Sequence, residues 1–411
     1  MESDELFEGC VVLGEADSLR EATADLPATS GVCLLTDGSD QPILLLYGSG
    51  LRRLVRGRLA EAQAGERTRK TRLRPIVRRV WFRRTWSTFE TQLYYYRLAR
   101  AVYPERYEEF FGGLEVYFVG VDLGARYPLF EVTGQLRGGQ VRQWGPFATR
   151  RSARAYLAAL QDIFDLCRCG EVLALAPQGT ACAYASMGRC AAVACDGRAD
   201  VVSYRAVVES AVAFLDRPLV ESLGQLEGAM QGFAAELAFE QAERVKRQLA
   251  SAKKLAGSAY RWVRPLESFS VLAVQRGPKV RRAGQRGWVA TAACFVVGPG
   301  WVESLSPFLV AEAAEAAGQI LDHVNLGQWQ AAQGGRERSR ELLAWGASLL
   351  YSKGRRGEGL YVPLEASLTA QELAARIVEY FGAVEAKPRR RARIEGIESG
   401  GGDEVARADE G

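Results

Sequence analysis

The N-terminal third of the chain alternates between strand-like and helix-like patterns of apolar residues. The runs "GVCLLT" (31–36) and "ILLLYG" (43–48) flank Asp37-Gly38 and predict two strands joined by a hairpin-like loop. Apolar residues at 51, 54, 55 and 59 then recur with a period of about 3.6, which predicts a helix. After Pro75, "IVRRVWF" predicts another strand. Ser87 and Glu90 have the spacing of a capping box at the start of the next helix.

The rest of the chain predicts two further strand-rich regions separated by a long helical one. "LEVYFVGV", "YPLFEVT" and "VRQWGPF" predict a small sheet, and a helix then leads to Cys169. From Tyr204 the pattern is helical for about fifty residues, with a near-heptad stripe that predicts a helical hairpin or coiled-coil arm. "FSVLAVQRG" and "GWVATAACFVVGPGW" predict strands, and helices follow up to about Phe381. These elements together predict an α+β fold.

The composition is that of a globular chain with two or three domains. It has 411 residues, of which 48% are hydrophobic. No apolar run approaches the roughly 20 residues that a membrane span needs. The acidic first twenty-five residues resemble neither a signal peptide nor a transit peptide. We therefore expect a cytoplasmic protein without a membrane partner, whose thiols stay reduced.

Positive charge is concentrated in one stretch of the sequence. Between Leu51 and Arg84 there are thirteen Lys or Arg and two Glu, a net charge of +11, whereas the net charge of the whole chain is +4. The stretch can be a solvated helix face. It also fits a phosphate-binding surface, because unpaired arginines repel one another unless an anion lies between them. The candidate nucleic-acid contacts are Arg52, Arg53, Arg56, Arg58, Arg69, Lys70 and Arg72.

Cysteines cluster in the middle of the chain, at Cys169, Cys182, Cys190 and Cys195. Four thiolates can hold a zinc ion or an iron–sulfur cluster. The intervening gaps are twelve, seven and four residues, without the tight C-x-x-C pairs of zinc ribbons, so the spacing favours the larger cluster. The alternative is that these are small apolar residues buried in a loop-rich subdomain.

The residues around these cysteines resemble a known family. "WGPFATRRSARAYLAALQDIFDLCRC", followed by "CAYASMGRCAAVAC" and "YRAVVESAVAFL", resembles the segment after the first nuclease domain in the bacterial UvrC excinuclease family. The family's cysteines bind an iron–sulfur cluster, so the resemblance implies that role for the four cysteines, with zinc as the alternative. Ala185 stands where the family has a tyrosine, the last gap is one residue longer than usual, and Cys167 is available as a substitute ligand.

The resemblance extends in both directions. "LEGAMQGFAAELAFEQAERVKRQLA" is similar to the family's UVR helical hairpin, which docks on the damage-recognition protein UvrB. The implied partner-binding residues are Leu226, Met230, Phe239 and Glu240, while Arg247 stands where an acid is usual. The implied domains are an acidic N-terminal segment (1–28), a degenerate GIY-YIG nuclease-like domain (29–110), a strand-rich and cysteine-cluster region (111–203), a UVR-like hairpin (204–258), a UvrC-middle-like α/β region (259–385) and a disordered tail (386–411).

The nuclease motif has lost most of the residues that the chemistry needs. Cys33 occupies the position of the first tyrosine, Leu44 that of the second, with Leu46 or Tyr47 as candidates if two residues are deleted. The arginine that stabilises phosphorane charge is retained as Arg52, but Tyr95 falls where the metal-binding glutamate belongs. Neither a thiol nor an alkyl side chain replaces a tyrosine hydroxyl in this site. The family's second nuclease is also missing, since no cluster of Asp and His follows Val310.

These observations favour a UvrC-like DNA-binding protein of nucleotide excision repair and the DNA damage response, without nuclease activity. The resemblance implies DNA and UvrB as partners. The alternative is an active, divergent endonuclease that nicks one strand with Mg or Mn through Arg52, Tyr47 and Glu90. A third possibility is a redox-sensing cluster protein unrelated to repair.

Overall fold

The structure is a computed structural model. It describes residues 6–14, 18–60, 73–111, 113–281, 287–325, 339–352, 358–365 and 367–385. The helices are combined with three antiparallel sheets, so the α+β prediction is confirmed. No helix in these ranges is both long and apolar enough to cross a membrane. The predicted disordered tail, residues 386–411, lies outside the described residues.

The first sheet and its helices form the N-terminal domain. The elements are β1 (Gly9–Val12), α1 (Leu19–Ala22), β2 (Gly31–Thr36), β3 (Pro42–Gly48), α2 (Leu51–Leu59), β4 (Arg79–Arg84) and α3 (Thr88–Val102). The four antiparallel strands lie in the order β1-β4-β2-β3, and β2 is buried along its whole length. Alternation places Cys33 and Leu35 on one face, against helix α2, and Val32 and Leu34 on the other, against helix α3.

The acidic N-terminal segment is part of this sheet, which its sequence did not suggest. Strand β1 pairs with β4 from Gly9 opposite Phe82 to Val12 opposite Arg79. Leu13 is almost completely buried and Leu26 completely buried in the core that α2 covers. The segment therefore closes one edge of the first sheet instead of preceding it as a separate region.

The second sheet carries the cysteine region. Its elements are β5 (Tyr117–Asp122), β6 (Phe130–Thr133), β7 (Val141–Phe147), α4 (Arg150–Phe164), α5 (Gly170–Leu173), α6 (Ala183–Ser186), α7 (Val201–Asp216) and β8 (Arg264–Pro265). The strands lie in the order β6-β5-β7-β8. Helix α4 packs its apolar side, including Ala153, Tyr156 and Leu160, against Trp144 and Phe147 of the sheet.

Glycine is required in the G-P-F turn of β7. A Cβ atom on Gly145 would lie 2.9 Å from the Phe118 ring and 3.2 Å from the Tyr117 carbonyl oxygen. A side chain here would force the Phe118 ring to shift, so glycine permits β5 and β7 to approach closely.

The helical hairpin consists of α8 (Leu219–Ala235) and α9 (Phe239–Leu255). Helix α9 buries Val245, Leu249 and Ala252, and the Gln248 side chain donates a hydrogen bond of 2.8 Å to the carbonyl oxygen of Ile163 at the end of α4. One face of the hairpin is therefore held against the cysteine region, and its tip extends beyond that contact.

The C-terminal region builds the third sheet. Its elements are β9 (Val271–Arg276), β10 (Thr291–Val297), β11 (Val302–Ser304), β12 (Phe308–Leu309), α10 (Ala313–Asn325), α11 (Arg340–Leu350), β13 (Leu360–Pro363) and α12 (Ala370–Glu385). The strands lie in the order β11-β10-β9-β13, with β12 also paired to β10. The helices α10 and α12 cover one face of the sheet together with Trp301.

Helix α3 joins the first domain to the third sheet. Its Phe89 ring lies 4.8 Å from the rings of both Phe295 and Trp345, measured between centroids. The Trp345 indole N–H donates to Gln92 Oε1 at 2.9 Å, and the Tyr96 and Ser339 hydroxyls are 2.9 Å apart. One helix thus contributes to two cores, with its other face packed on the first sheet.

Candidate cysteine centre and nucleic-acid surface

Five cysteines converge on one small cavity, which is lined by the chain segment that connects α4 to α7. Asp165 ends α4 in the left-handed conformation, with φ of 47°, and this turn carries the chain into Cys167 and Cys169. Cys182 caps the N-terminus of α6, and Cys190 and Cys195 lie in the loop before α7. All five sulfur-bearing side chains line the cavity, together with Val172, Leu173, Ala185, Ala192 and Ala194.

The sequence predicts Cys167 only as a substitute for another cysteine. The structure places it in the same cavity as the other four. In the sequence, the feature that indicates Cys167 as a member of this set is its Cys-x-Cys spacing with Cys169. A set of five thiols leaves one sulfur more than a four-ligand centre uses.

The thiols differ in their ease of ionisation. Burial raises the pKa of Cys167 to about 11 and, with a hydrogen bond to Cys182, that of Cys169 to about 11. Burial also raises the pKa of Cys190 above its usual 9.0. Burial acts in the same direction on Cys182, but the N–H groups at the start of α6 and the Cys169 thiol stabilise its thiolate and hold its pKa below 9.0. Three of the thiols are therefore neutral near pH 7, and a bound metal would have to displace their protons.

All eight cysteines of the chain are free thiols. Within the described residues, no three His, Cys, Asp or Glu side chains are placed as ligands of one metal ion. The five cysteines nevertheless surround a common space whose other lining residues are apolar. This all-sulfur donor set suits a thiolate-ligated centre with several irons better than a site for a hard cation.

The loop is fixed from outside by charged and aromatic contacts. Arg168 donates to Asp162 of α4 at 2.6 Å, and Arg189 lies 3.5 Å from the same carboxylate. The Arg168 guanidinium also lies 5.2 Å from the centre of the Tyr184 ring, within the range of cation–π attraction. These contacts connect the segments that carry Cys167, Cys182 and Cys190.

The residues predicted at the nuclease motif include a pair of packed rings. Tyr95, which the resemblance aligns with the family's glutamate, lies 4.5 Å from Tyr47 between ring centroids and 5.7 Å from Phe111. Burial raises the pKa of Tyr95 well above its usual 10. Cys33 lies on the opposite face of the sheet, where it is completely buried and its pKa is raised to about 12.

Glu90 and Arg52 serve the local structure. The Glu90 carboxylate accepts a hydrogen bond of 2.7 Å from the Trp86 backbone N–H, while the Glu90 backbone N–H donates to the Ser87 hydroxyl. The pair therefore caps α3, although the carboxylate reaches Trp86 instead of Ser87. The Arg52 side chain donates to the carbonyl oxygen of Leu26 at 2.7 Å. Neither contact brings Glu90 or Arg52 to Tyr47.

The arginines of α2 fall into two groups. Arg52 and Arg56 are bonded to the N-terminal segment; Arg56 donates to the Thr23 hydroxyl at 2.6 Å and to the Arg20 carbonyl oxygen at 2.9 Å. Arg53 is exposed and Arg58 half-buried, and neither forms an ion pair with another described residue. Arg69, Lys70 and Arg72 lie outside the described residues.

The predicted partner-binding residues lie along the helical hairpin. Leu226 and Met230 of α8 are half-buried, whereas Phe239 and Glu240 at the start of α9 are exposed. Leu237, in the turn between the helices, is 71% exposed and has a φ of 59°. The tip therefore presents two large apolar side chains, Leu237 and Phe239, to solvent.

Comparison with known proteins finds similarity in the region that contains the cysteine cavity. Residues 118–214 match the family model of the UvrC/Cho excinuclease middle domain, which here runs from β5 through the cysteine loop to α7. The UvrABC system protein C of Moorella thermoacetica is 29% identical over 129 residues, 31% of this chain and 21% of that protein. The UvrABC system protein C of Arthrobacter sp. is 28% identical over 218 residues, and that of Rhodococcus opacus is 27% identical over 303 residues.

The Arthrobacter alignment covers 49% of this chain and 32% of the relative, and the Rhodococcus alignment 69% and 40%. The matches thus span between a fifth and two fifths of the relatives' length. No solved structure matches the chain. With the middle-domain match centred on the cysteine loop, these findings show that the chain is similar to UvrC proteins over this region.

Proposed function

We propose that this chain is a DNA-binding protein of nucleotide excision repair that has lost the nuclease activity of its first domain. The observation that carries the loss is the contact of Tyr95 with Tyr47. A phenol packed among rings offers no carboxylate to a metal ion, and a metal ion is needed to stabilise the charge that develops on the scissile phosphate.

DNA binding is supported by the exposed side of α2. Arg53 and Arg58 have no carboxylate partner among the described residues, and uncompensated positive charge attracts an anion such as a phosphate. Arginines that meet phosphates provide affinity and salt dependence without reading sequence. Arg52 and Arg56 would keep α2 in position without contacting DNA, since they anchor the helix to the N-terminal segment.

An iron–sulfur cluster is the cofactor that the cysteine cavity fits best. Cys169, Cys182, Cys190 and Cys195 would be its ligands, with Cys167 beside them. Five soft sulfur donors around an otherwise apolar cavity suit a cluster of this kind. Its role would be structural, because the centre would bind α4, α6 and the loop before α7 together.

The helical hairpin is the proposed contact for UvrB. Its tip exposes Leu237 and Phe239, while the opposite face of α9 is occupied by α4. An exposed pair of apolar side chains at the end of an otherwise polar helix is typical of a surface that a partner covers.

Two measurements on the full chain test the proposed function. DNA affinity is measured by titration of a lesion-bearing duplex at several salt concentrations. We expect the logarithm of affinity to fall linearly with the logarithm of salt, with a slope smaller by roughly two in R53Q/R58Q because each lost phosphate contact removes about one unit. The matched control is K246Q/K254Q on α9, which removes two exposed charges elsewhere. A salt-independent affinity would overturn the DNA-binding surface.

Nicking is measured on the same duplex with Mg²⁺ or Mn²⁺. We expect none. Strand cleavage that disappears in R52Q, Y47F or E90Q would overturn the loss of activity and favour the divergent endonuclease.

A further inference from the structure

Strands β9 and β10 continue past the third sheet as a two-stranded arm. Beyond β9, the Gly277 N–H donates to the Thr291 carbonyl oxygen at 2.9 Å. Farther out, Val280 and Val289 form a reciprocal antiparallel pair, with N–H to O distances of 3.0 and 2.8 Å. Backbone hydrogen bonds therefore hold the two sides of the arm together as far as this isolated pair.

The arm is strongly basic. Arg276, Lys279 and Arg281 are all exposed, and none of them forms an ion pair with a described residue. The sequence from Arg276 to Ala290 contains no Asp or Glu. Elsewhere in the chain, strand arginines such as Arg84 are paired with an acid. Uncompensated charge of one sign on a projecting element attracts a polyanion.

The arm also presents an aromatic ring. Trp288 is 61% exposed, whereas Trp144 and Trp345 are almost completely buried. The Arg281 guanidinium lies 5.0 Å from the centre of the Trp288 ring, so a cation is held beside the indole. Val280 and Val289, at the pair next to Trp288, are half-buried, which leaves the indole as the arm's one large exposed apolar group within the described residues.

We propose that this arm binds an unpaired DNA strand, with a base stacked on Trp288 and phosphates contacting Arg276, Lys279 and Arg281. An exposed aromatic ring flanked by cations is the arrangement with which proteins bind single strands regardless of sequence. A paired duplex keeps the faces of its bases stacked inside, so the indole selects unpaired strand over duplex. This inference rests on the proposed DNA-binding function and adds a second site to it.

The arm is distinct from the α2 surface. It leaves β10 at Thr291, and the other end of that strand, Val297, packs in the same core as α3. The strand between these ends is about 20 Å long at roughly 3.3 Å per residue. One DNA carrying both paired and unpaired segments would therefore be contacted at separate places.

The test measures the affinity of the full chain for a single strand, for a duplex and for anionic phospholipid vesicles. For the single strand we expect W288A to weaken binding by roughly tenfold, as for loss of one base stack, and W288F to retain most of the affinity. R281Q is expected to weaken single-strand binding and reduce its salt slope. Duplex affinity is expected to change little in W288A but to fall in R53Q/R58Q.

The two proposals fail in different ways. If duplex binding depends on Arg53 and Arg58 while W288A binds the single strand as tightly as the wild type, the arm proposal is overturned and the proposed function stands. If W288A weakens vesicle binding and leaves single-strand affinity unchanged, the arm is a membrane contact and the proposal is equally overturned. A wild type that binds neither form of DNA overturns both. Because Trp288 is exposed, W288A is expected to melt at the wild-type temperature.

Discussion

The ring of Tyr47 lies 4.5 Å from that of Tyr95, centroid to centroid, at an interplanar angle of 51°. The pair connects β3 to α3, and in the proposed function it takes the place of a metal site. Phe110 and Phe111 close around Tyr95 at 6.1 and 5.7 Å. Tyr95 is thus part of an aromatic core, and under the proposed function a glutamate placed there would not by itself build a metal site.

Tyr95→Glu is expected to destabilise the protein without restoring cleavage. It removes a ring from a packed core, which costs about 3–5 kcal/mol, and it buries a carboxyl group. Burial raises the pKa of that carboxyl, so its charged form is the costly one and the loss of stability should be larger at pH 8 than at pH 5. Thermal melting at both pH values measures this, with Tyr95→Phe as the control that keeps the ring. Metal-dependent nicking by Tyr95→Glu would contradict the expectation.

Leu237→Gly is expected to stabilise the helical hairpin. Leu237 adopts a φ of 59°, which costs a side-chain-bearing residue about 1 kcal/mol more than glycine. Its side chain is mostly exposed, so little packing is lost. Urea denaturation should give a free energy of unfolding higher by up to about 1 kcal/mol if α8 and α9 unfold with the rest of the chain. Gly228→Ala, in the exposed middle of α8, is the comparison, and a decrease for Leu237→Gly would show that the leucine makes a contact worth more than its strain.

The same leucine is expected to matter for partner binding. In the proposed complex Leu237 and Phe239 would be covered, so Leu237→Gly and Phe239→Ala should weaken capture of UvrB while leaving the melting temperature unchanged or higher. Isothermal titration with purified UvrB measures the effect, with Val220→Ala at the far end of α8 as the control. Equal affinity for all the variants would remove the hairpin tip from the interface.

Glu90 gives stability a defined dependence on pH. Burial raises its pKa above the usual 4.5, against the opposing effect of the Trp86 N–H. The folded state therefore binds the proton more tightly than the unfolded state. The stability that the carboxyl contributes is fully present below pH 4.5 and is lost as pH rises through the raised pKa.

Relative to Glu90→Gln, which keeps a hydrogen-bond acceptor but does not titrate, the wild type should accordingly lose stability as the pH rises above about 4.5. Denaturation curves of both proteins, recorded from below pH 4.5 upward, provide the measurement. If the free energy of unfolding changes with pH in the same way for both proteins, the Glu90 carboxyl has the same pKa in the folded and unfolded states.

The cysteine cavity predicts the metal content of the purified protein. Protein purified without oxygen should contain iron and sulfide, and serine at Cys169, Cys182, Cys190 or Cys195 should remove most of the iron. Cys167→Ser should keep it, and Cys10→Ser, on the exposed edge strand, serves as the control. Elemental analysis and the visible spectrum distinguish the outcomes. Bound zinc would revise the cofactor, and absence of any metal would contradict the centre.

The local elements could be predicted from the sequence because they follow periodicity. The hairpin at 31–48, the helix from Leu51 and the α4 stripe from Ala153 to Phe164 are all found where the pattern indicates. The gathering of the cysteines in one place was also foreseeable, since four of them lie close together in the chain.

The long-range contacts could not be predicted in this way. "GCVV" is short and lies in an acidic segment, so nothing local identifies it as the edge strand beside β4. Arg52 resembles a catalytic arginine in sequence, yet its partner is a backbone carbonyl 26 residues earlier, and backbone acceptors leave no trace in side-chain patterns. Trp288 became notable only once its exposure was known.

The double role of α3 limits how the protein can be divided. A shortened chain that ends before Val271 would lack the partners of Phe89 and Tyr96, which are Phe295, Trp345 and Ser339. The apolar side of α3 that they cover would be exposed to water. We expect such a fragment to aggregate during expression. Loss of the C-terminal region, by a nonsense mutation or a protease, would disable the N-terminal domain as well.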